Sequence, residues 1–314
     1  MKMQHAIQAT LAATVLLSSA TAMGAKEATR PDLSGTYDTA TLTPMQRPEM
    51  YGDKLELSKE DAEQIAARDA AGKLAQNKSS NPDRDAPPAG GDGSTGAAGN
   101  VGGYNTFWID NGTSAVAVNG KYRTSIITDP PNGRMPAMTA DAMQNMRRQF
   151  TGFERGNTGK AYWVNVGDGS GPYDNMEQRG LGERCLLGFG STAGPPMMPV
   201  LYNNVKRIVQ TDDYVMILVE MVHDARVIRL NSKHLPKEVR RWLGDSIGWW
   251  EGDTLVVDTT NFHPSSGFRG SSENLHVIER FKRLDDSTLL YSFTVDDPTV
   301  WTASWSGEYS WPAT

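Results

Sequence analysis

Residues 247–260 read IGWWEGDTLVVDTT, and this stretch predicts a β-hairpin. Ile247 to Trp250 and Thr254 to Thr260 are rich in β-branched and aromatic residues, which favour strands. Glu251-Gly252-Asp253 lies between them, and its glycine can supply the positive φ that a tight hairpin turn requires. The segment therefore predicts two antiparallel strands joined by a short turn.

Further strand patterns lie on both sides of this hairpin. Tyr214 to Leu230 is a long run rich in β-branched residues, which we expect to form one strand. Leu275 to Leu284 and Thr288 to Val295 are separated by Asp285-Asp286, a typical turn sequence. Strands and helices do not alternate along this region, so a parallel α/β sheet is disfavoured.

The sequence therefore predicts a mainly β fold, an antiparallel meander that forms a closed or partly open, calycin-like barrel. Closure is favoured because so many consecutive strands would otherwise leave exposed edges. A two-sheet sandwich is the alternative.

Shorter elements complete the expected architecture. Ser58 can cap a helix at residues 58–73, because Asp61 follows it at the spacing of a capping box. Two further peripheral helices are expected at residues 139–150 and 235–243. Short strands are expected at residues 32–37, 107–109, 114–118, 122–128 and 161–166.

The first 22 residues have the three parts of a secretory signal peptide. Lys2 precedes the apolar run Ile7 to Leu17, and Ala20-Thr21-Ala22 is a small-residue cleavage site. The apolar run is too short to span a bilayer, and no later stretch is apolar for long enough. We therefore expect a soluble periplasmic or secreted bacterial protein with no membrane span.

Residues 23–314 are expected to form a single β domain. Residues 74–103 are rich in Gly, Pro and Ser and predict a flexible loop within it. Cys185 is the only cysteine, so it is missing a partner, forms an intermolecular bridge or is buried. Glu308 to Pro312 resembles the start of a strand, which suggests that the C-terminus is truncated.

Composition limits the classes of partner. The formal net charge is −6, and an acidic surface argues against binding nucleic acid. No phosphate loop, dinucleotide fingerprint, HExxH or CxxC motif is present in the sequence, so we expect neither a cofactor nor a metal. A small-molecule ligand or substrate is the expected partner. The oligomeric state stays open.

Residues 244–262 read GDSIGWWEGDTLVVDTTNF. This motif resembles the GDSxGxWEGDTLVVDTxNF signature of a widespread family of exported bacterial proteins with no established activity. The resemblance extends over most of the mature chain and includes residues 104–108, 220–226 and 293–298. Similar proteins continue past residue 314 into a segment with another cysteine. The resemblance implies export and is silent about the reaction.

Gly244-Asp245-Ser246-Ile247-Gly248 also fits the G-x-S-x-G pattern of hydrolase nucleophile elbows. Such an elbow has a strand before the serine and a helix after it. Here the predicted helix comes first and the strand follows. The sequence therefore argues against a serine hydrolase.

The predicted strand Tyr214 to Leu230 carries several candidate catalytic groups. In a continuous strand Glu220, Asp224 and Arg226 share one face, where the last two can pair. His223 lies on the other face in an apolar row and is predicted to face the interior. It is either a buried, hydrogen-bonded histidine or a general acid or base.

Glu279 interrupts an apolar row on the predicted strand Leu275 to Leu284. An inward carboxylate must be protonated, paired or hydrogen-bonded, and Arg226, Arg280 or Arg283 can supply the partner. A structural ion pair is one interpretation, and a site carboxylate is the other. His276 on the same strand joins the candidates. The predicted catalytic set is His223, Glu279, Glu220, Asp224, Arg226 and His276.

Large aromatic residues are concentrated in the last third of the chain. They either fill a wide core or line a ligand cavity. Asp258 and Asn261 can reach a pocket mouth or cap a loop, and Tyr202 and Asn203 can supply neutral hydrogen bonds. The predicted ligand-binding set is Tyr202, Asn203, Trp249, Trp250, Asp258, Asn261 and Trp301.

Three functions remain open on the sequence alone. A cofactor-free lyase, isomerase or hydrolase predicts that His223, a carboxylate and an arginine converge on one cavity. A non-catalytic binding barrel, a carrier or sensor, predicts an aromatic-lined cavity with its ionisable groups paired. A structural envelope protein predicts no cavity. The interruptions at His223 and Glu279 favour the enzyme.

Overall fold

A computed structural model describes residues 30–76, 109–151, 176, 180–188 and 192–314. Several predictions from the sequence lie outside these residues. They are the signal peptide, most of the predicted loop at 74–103, the motif segment 104–108, the predicted strand at 161–166 and most of the one at 107–109.

The described residues form thirteen strands and two α-helices. In chain order these are β1 Gly35–Asp38, β2 Glu56–Leu57, α1 Lys59–Gln76, β3 Ala117–Val118, β4 Lys121–Arg123, β5 Ile127–Asp129, α2 Ala140–Thr151, β6 Val205–Gln210, β7 Tyr214–Val219, β8 Ala225–Leu230, β9 Asp245–Glu251, β10 Thr254–Thr260, β11 His276–Asp285, β12 Thr288–Asp296 and β13 Trp305–Pro312.

Ten of these strands form one curled sheet in the order β1-β6-β7-β8-β9-β10-β11-β12-β13-β5. Its pairs are antiparallel except for β8 and β9, which are parallel. The curl brings β1 back to β13, where Tyr37 bridges Ala313 and the Thr314 amide donates to the Thr36 carbonyl at 3.0 Å. The fold is therefore mainly β and forms a half-barrel. The predicted partly open barrel is confirmed.

A second, smaller sheet has the order β2-β4-β3 and packs beneath α1. Leu57 and Ala62 are buried there, and Ile65 packs against them. This small core is separate from the main hydrophobic core of the half-barrel. It places α1 on the outside of the molecule, as the sequence predicts.

The hairpin predicted at residues 247–260 is confirmed. Glu251 pairs with Thr254, so only Gly252 and Asp253 form the loop. Gly252 has a φ of 64°, the left-handed conformation that a glycine adopts without strain.

Two of the three predicted helices are present. The Ser58 hydroxyl accepts the Asp61 amide at 3.0 Å and caps α1, and α2 lies within one residue of its predicted bounds. The helix predicted at residues 235–243 is wrong, because this segment is irregular. Of the described helices, none is both long and apolar enough to cross a membrane.

Tertiary hydrogen bonds explain why residues 235–243 do not coil into a helix. The Asp245 carboxylate accepts the Leu235 amide at 2.9 Å, and the Asn261 side chain donates to the Leu235 and Pro236 carbonyls. Arg241 forms a parallel bridge with Phe262. These bonds occupy backbone groups that a helix would pair within itself.

The prediction of one strand from Tyr214 to Leu230 is also wrong. The chain turns at Glu220–Asp224, and β7 and β8 pair with each other as an antiparallel hairpin. Val222 and His223 both have positive φ, at 48° and 56°. The turn changes the inward positions from odd residues in β7 to even residues in β8, so Arg226 is buried and His223 is exposed.

The interior of the half-barrel is filled by aromatic side chains. Tyr291, Trp305, Tyr309 and Trp311 are each fully buried. The Tyr291 and Trp311 rings stack at 4.7 Å, and Tyr291 meets the edge of Tyr309 at 5.7 Å. Such contacts are typical of close-packed cores. The core interpretation of Trp301, Trp305 and Trp311 therefore fits the structure better than a hollow, aromatic-lined barrel.

We predict that Val222→Gly stabilises the protein. A left-handed conformation costs a non-glycine residue about 1–2 kcal/mol, and glycine adopts it freely. Chemical denaturation should show a free energy of unfolding about 0.5–1 kcal/mol higher than that of the wild type. Val227→Gly is the matched control, because Val227 has a similar exposure of 48% against 38% but lies within a regular strand. The control should lose stability; a loss in Val222→Gly as well would contradict the account of the turn.

Candidate functional sites

Arg226 and Glu279 form a buried ion pair inside the half-barrel. Their side chains are 2% and 0% exposed, and the Arg226 Nη2 atom lies 3.0 Å from Glu279 Oε1 and 2.9 Å from Oε2. Only the contact to Oε1 has the alignment of a hydrogen bond. Arg226 is one of the partners that the sequence suggests for Glu279, and this pairing is confirmed.

Tyr291 connects this ion pair to the segment of residues 192–200, and Tyr309 makes a further bond to that segment. The Tyr291 hydroxyl donates to Glu279 Oε1 at 2.8 Å and accepts the Met197 amide at 2.9 Å. The Tyr309 hydroxyl donates to the Met197 carbonyl at 3.0 Å. Burial raises the pKa of both tyrosines, so both hydroxyls remain donors at neutral pH. Glu279 is thus occupied by two donors in a closed core.

The other candidates from residues 220–226 do not converge on Glu279. His223 is exposed, which contradicts its predicted interior position. Glu220 is also exposed, and its carboxylate accepts the Val205 amide at 3.2 Å. The predicted surface pair of Asp224 with Arg226 is wrong, because Arg226 points inward to Glu279.

Asp224 lines a small cavity at the end of the half-barrel where the β7–β8 turn lies. Its carboxylate accepts the Gly188 amide at 3.0 Å. Burial raises the pKa of Asp224, and the hydrogen bond from Gly188 opposes that shift. The cavity measures about 30 Å³, which is room for one or two water molecules. It is too small for an organic substrate.

His276 belongs to a polar chain on the outer face of the sheet. His276 Nε2 lies 2.9 Å from Asp258 Oδ1, and His234 Nε2 lies 3.4 Å from the same oxygen. The other His234 nitrogen, Nδ1, is 3.1 Å from Asp245 Oδ2, and Arg229 Nη2 contacts both Asp245 oxygens at 2.9 Å. We call this series of side-chain contacts the outer relay. Its members, in the order in which they contact one another, are Arg229, Asp245, His234, Asp258 and His276.

The contacts of the outer relay raise the pKa of its histidine His276 and lower the pKa values of its two carboxylates, Asp258 and Asp245. The hydrogen bond to Asp258 raises the pKa of His276 above its usual 6.5, and burial opposes this. Burial pushes the pKa of Asp258 upward, but the hydrogen bonds and charges of His276 and His234 outweigh it, so this pKa lies below 3.8. The pKa of Asp245 is also lowered overall. Burial raises this pKa, but the hydrogen bonds from the Leu235 amide, His234 and Arg229 outweigh the effect of burial.

The predicted ligand-binding residues do not form one cavity among the described clefts. Trp301 is buried in the core, and the amide of Asn261 is used by Leu235 and Pro236. Trp249 and Trp250 are neighbours in a strand and so point to opposite faces of the sheet. Tyr202 and Asn203 lie in the segment before β6. Their role as ligand contacts stays a prediction.

One buried amine was not among the residues predicted from the sequence. Lys206 is fully buried on the inner face of β6, and its Nζ atom has no hydrogen-bond partner in the part of the chain that the structure describes. Burial lowers the pKa of Lys206 to about 8, although Glu220 and Asp38 raise it. The sequence did carry a signal for its burial. Lys206 and Ile208 are two residues apart in a strand, so they lie on the same, inward face.

Ser246 and Cys185 also have definite positions. Ser246 is buried within β9, and its hydroxyl hydrogen-bonds Thr259 at 2.8 Å, so it is not on a nucleophile elbow. Cys185 is a free, exposed thiol, which contradicts the alternative that it is buried. Among the described residues, no group of three His, Cys, Asp or Glu side chains is arranged to hold a metal ion.

A cleft of pocket size lies against α2. It has a volume of about 650 Å³. Three segments form its walls: the start of α2, residues 269–272 and residues 298–300. The lining residues are Thr139, Asp141, Ala142, Asn145, Met146, Arg269, Gly270, Ser272, Pro298, Thr299 and Val300. We call it the α2 cleft.

Asp297 holds two walls of the α2 cleft together. Its buried carboxylate accepts the Ser271 hydroxyl and the Thr299 amide. Thr139 connects the third wall, because its hydroxyl donates to the Thr299 carbonyl at 2.8 Å and accepts the Ala142 amide of α2 at 3.2 Å. The walls are therefore fixed before any ligand arrives, which lowers the entropic cost of binding.

Comparisons with protein-family models, with curated proteins and with solved structures gave no significant match to this chain. The assignment of function therefore depends on the geometry of the molecule alone.

We predict that the outer relay makes stability depend on pH through His276. Because the pKa of His276 is raised in the folded state, its contribution is complete below pH 6.5 and is lost as the pH rises through the raised value. The contribution of Asp258 is present above pH 3.8 and is lost only as the pH falls through its lowered pKa. The pair is strongest between these limits.

His276→Gln should therefore cost more stability at about pH 5.5 than at about pH 9. The His276 side chain is 41% exposed, so solvent screening limits the difference to about 0.5 kcal/mol. Urea unfolding at both pH values measures it. In an Asp258→Asn background the difference between the two pH values should shrink, because Asp296 is then the remaining group that raises the pKa of His276. An equal cost in the wild-type background would refute the pairing.

Proposed function

We propose that this protein is an exported small-molecule-binding protein, a carrier or sensor, that takes its ligand in the α2 cleft. The observation that carries the proposal is the cleft itself. Its volume of about 650 Å³ lies within the usual range of ligand pockets, about 300–1,000 Å³. Its walls are more polar than those of most such pockets: Ala142, Met146, Pro298 and Val300 are apolar, and the other lining residues except Gly270 are polar or charged, including Asp141 and Arg269.

The predicted catalytic groups do not meet inside the half-barrel, which favours ligand binding in the α2 cleft over catalysis in the interior. Glu279, the carboxylate expected to work as an acid or base, is already bonded to Arg226 and Tyr291. His223 is exposed and lies on a turn, separate from the closed core around Glu279. A general acid and base must both reach the reacting atoms, so this pair does not meet the geometric requirement.

The polar lining indicates the chemistry of the ligand. Arg269 lines the α2 cleft, is exposed and has no ion-pair partner among the described residues. A guanidinium binds carboxylates and phosphates through paired hydrogen bonds. Asn145 and Thr299 add neutral donors and acceptors on the other walls. The ligand is therefore a small organic molecule with one acidic group and several hydroxyl or amide groups.

A cofactor-free acid–base enzyme is the second candidate, and the outer relay favours it. His276 is partly exposed and held by a carboxylate, an arrangement that orients an imidazole for proton transfer. In this alternative Asp258 positions His276, and His234 and Asp245 support Asp258 in turn. The α2 cleft contains no histidine among the described residues that line it, which favours binding.

We predict that Arg269→Ala weakens ligand binding by about tenfold, because a charge-assisted hydrogen bond is lost. A panel of small hydroxy acids, amino acids and sugar acids is screened by thermal shift with the full-length protein. Compounds that stabilise the wild type are then titrated by calorimetry against both forms. The same mixtures are followed by NMR for turnover.

Arg280→Ala is the matched control, because Arg280 is exposed on β11 outside the α2 cleft. It should bind like the wild type. Equal affinities of Arg269→Ala and Arg280→Ala would place the ligand elsewhere and defeat the proposal. Turnover that disappears in His276→Gln would establish the enzyme instead.

A further inference from the structure

A second cleft lies between α1 and the small three-stranded sheet. It has a volume of about 290 Å³. Residues from six parts of the chain meet there: the segment after β1, the turn at residues 48–51, β2, α1, Ala115 just before β3, and the end of β4. We call it the α1 cleft. It shares no lining residue with the α2 cleft, so its ligand is independent of the one proposed above.

Most of the wall of the α1 cleft is apolar. Leu42, Pro44, Leu57 and Ile65 face one another around it. Met50 lines its edge and is 83% exposed. An exposed methionine is flexible and polarisable, and such residues are common where a surface adapts to apolar ligands. The wall therefore suits a hydrocarbon chain or ring.

Arg123 supplies a buried cation to the α1 cleft. The residue is only 9% exposed, and its Nη2 atom lies 2.8 Å from Glu308 Oε1. Its Nη1 atom lies 3.7 Å from Glu56 Oε1, which is an ion pair but not a hydrogen bond. Its Nε atom is buried and has no hydrogen-bond partner in the described part of the molecule. The two carboxylates compensate the charge of Arg123, which therefore is not the free cation of this cleft.

Arg68 is the second guanidinium of the α1 cleft. It lies on α1 one turn after Ile65, and its side chain is exposed at the opening. Arg68 has no ion-pair partner among the described residues. Glu56 and Glu308 already accompany Arg123, so Arg68 is the uncompensated charge at this site. An apolar wall with one free cation at its opening matches a ligand that has a hydrocarbon body and one negatively charged group.

We propose that the α1 cleft binds a small monocarboxylate with an apolar body, such as a medium-chain fatty acid or an arylalkanoate. The hydrocarbon part lies against Leu57 and Ile65, and the carboxylate accepts hydrogen bonds from Arg68. The volume is just below the range for drug-sized ligands, so the ligand is correspondingly small. Burying the hydrocarbon supplies affinity, and the guanidinium selects the carboxylate.

Calorimetric titration of the full-length protein tests this site. Octanoate and 3-phenylpropionate are the probes, and octylamine, of the opposite charge, is the comparison ligand. Octanoate should bind, and octylamine should bind at least about tenfold more weakly because its ammonium meets Arg68. Arg68→Ala should weaken octanoate binding by about tenfold and leave any ligand of the α2 cleft unaffected.

Lys59→Ala is the matched control, because Lys59 is an exposed cation on the same helix that does not line the α1 cleft. Its affinity for octanoate should equal that of the wild type. The proposal is overturned if neither acid binds, if octylamine binds as well as octanoate, or if Lys59→Ala and Arg68→Ala weaken binding equally.

Discussion

The ion pair between Arg226 and Glu279 is the interaction on which the interior of the half-barrel depends. It joins β8 to β11 across the inner face and takes both charges fully out of water. Removing two charges from water costs several kcal/mol each, and only a short, hydrogen-bonded contact offsets that cost. Tyr291 adds a second hydrogen bond to Glu279 Oε1 and connects the pair to Met197 in the segment of residues 192–200. Strand positions and interior packing therefore share one polar centre.

This centre also directs where function can lie. Glu279 is bonded to Arg226 and Tyr291, and the described aromatic side chains around it pack against one another, so the expected interior acid–base group is occupied. The features proposed for recognition or chemistry, which are the α1 cleft, the α2 cleft and the outer relay, lie instead at loops and outer faces. A rigid β scaffold that presents functional loops at its edges is a common arrangement in proteins.

The polar residues of the 244–262 motif have structural partners that the sequence does not show. Asp245 hydrogen-bonds His234 Nδ1 and accepts the Leu235 amide, and the Asn261 side chain donates to the carbonyls of Leu235 and Pro236. These bonds fasten residues 231–240 over the sheet. The motif thus builds a hairpin and also positions a loop that precedes it in the chain.

Local patterns in the sequence were enough to predict the hairpin at 247–260, the two strands that follow it and the capped helix α1. They succeeded because each signal, such as a glycine turn or a capping serine, acts within a few residues. The turn at Glu220–Asp224 contains no Gly, Pro or Asn, so the change of inward face after it could not be predicted. That single error placed His223 inside and Arg226 outside.

The helix expected at 235–243 failed for another reason. Its local signals are sound, but Asp245 and Asn261 take its backbone groups, and those contacts exist only in the folded chain. The two clefts were invisible for the same reason, because each is assembled from segments far apart in the sequence. Glu279 shows the reverse: one carboxylate in an apolar row was enough to predict a buried partner.

A double-mutant cycle on Arg226 and Glu279 tests the central claim most directly. Arg226→Met and Glu279→Gln should each lower the free energy of unfolding in urea by about 3 kcal/mol, because each leaves one buried group without its partner. The double variant should lose less than the sum, by at least about 1.5 kcal/mol. Losses that add to within about 0.5 kcal/mol would show that the two residues do not interact and would contradict this account.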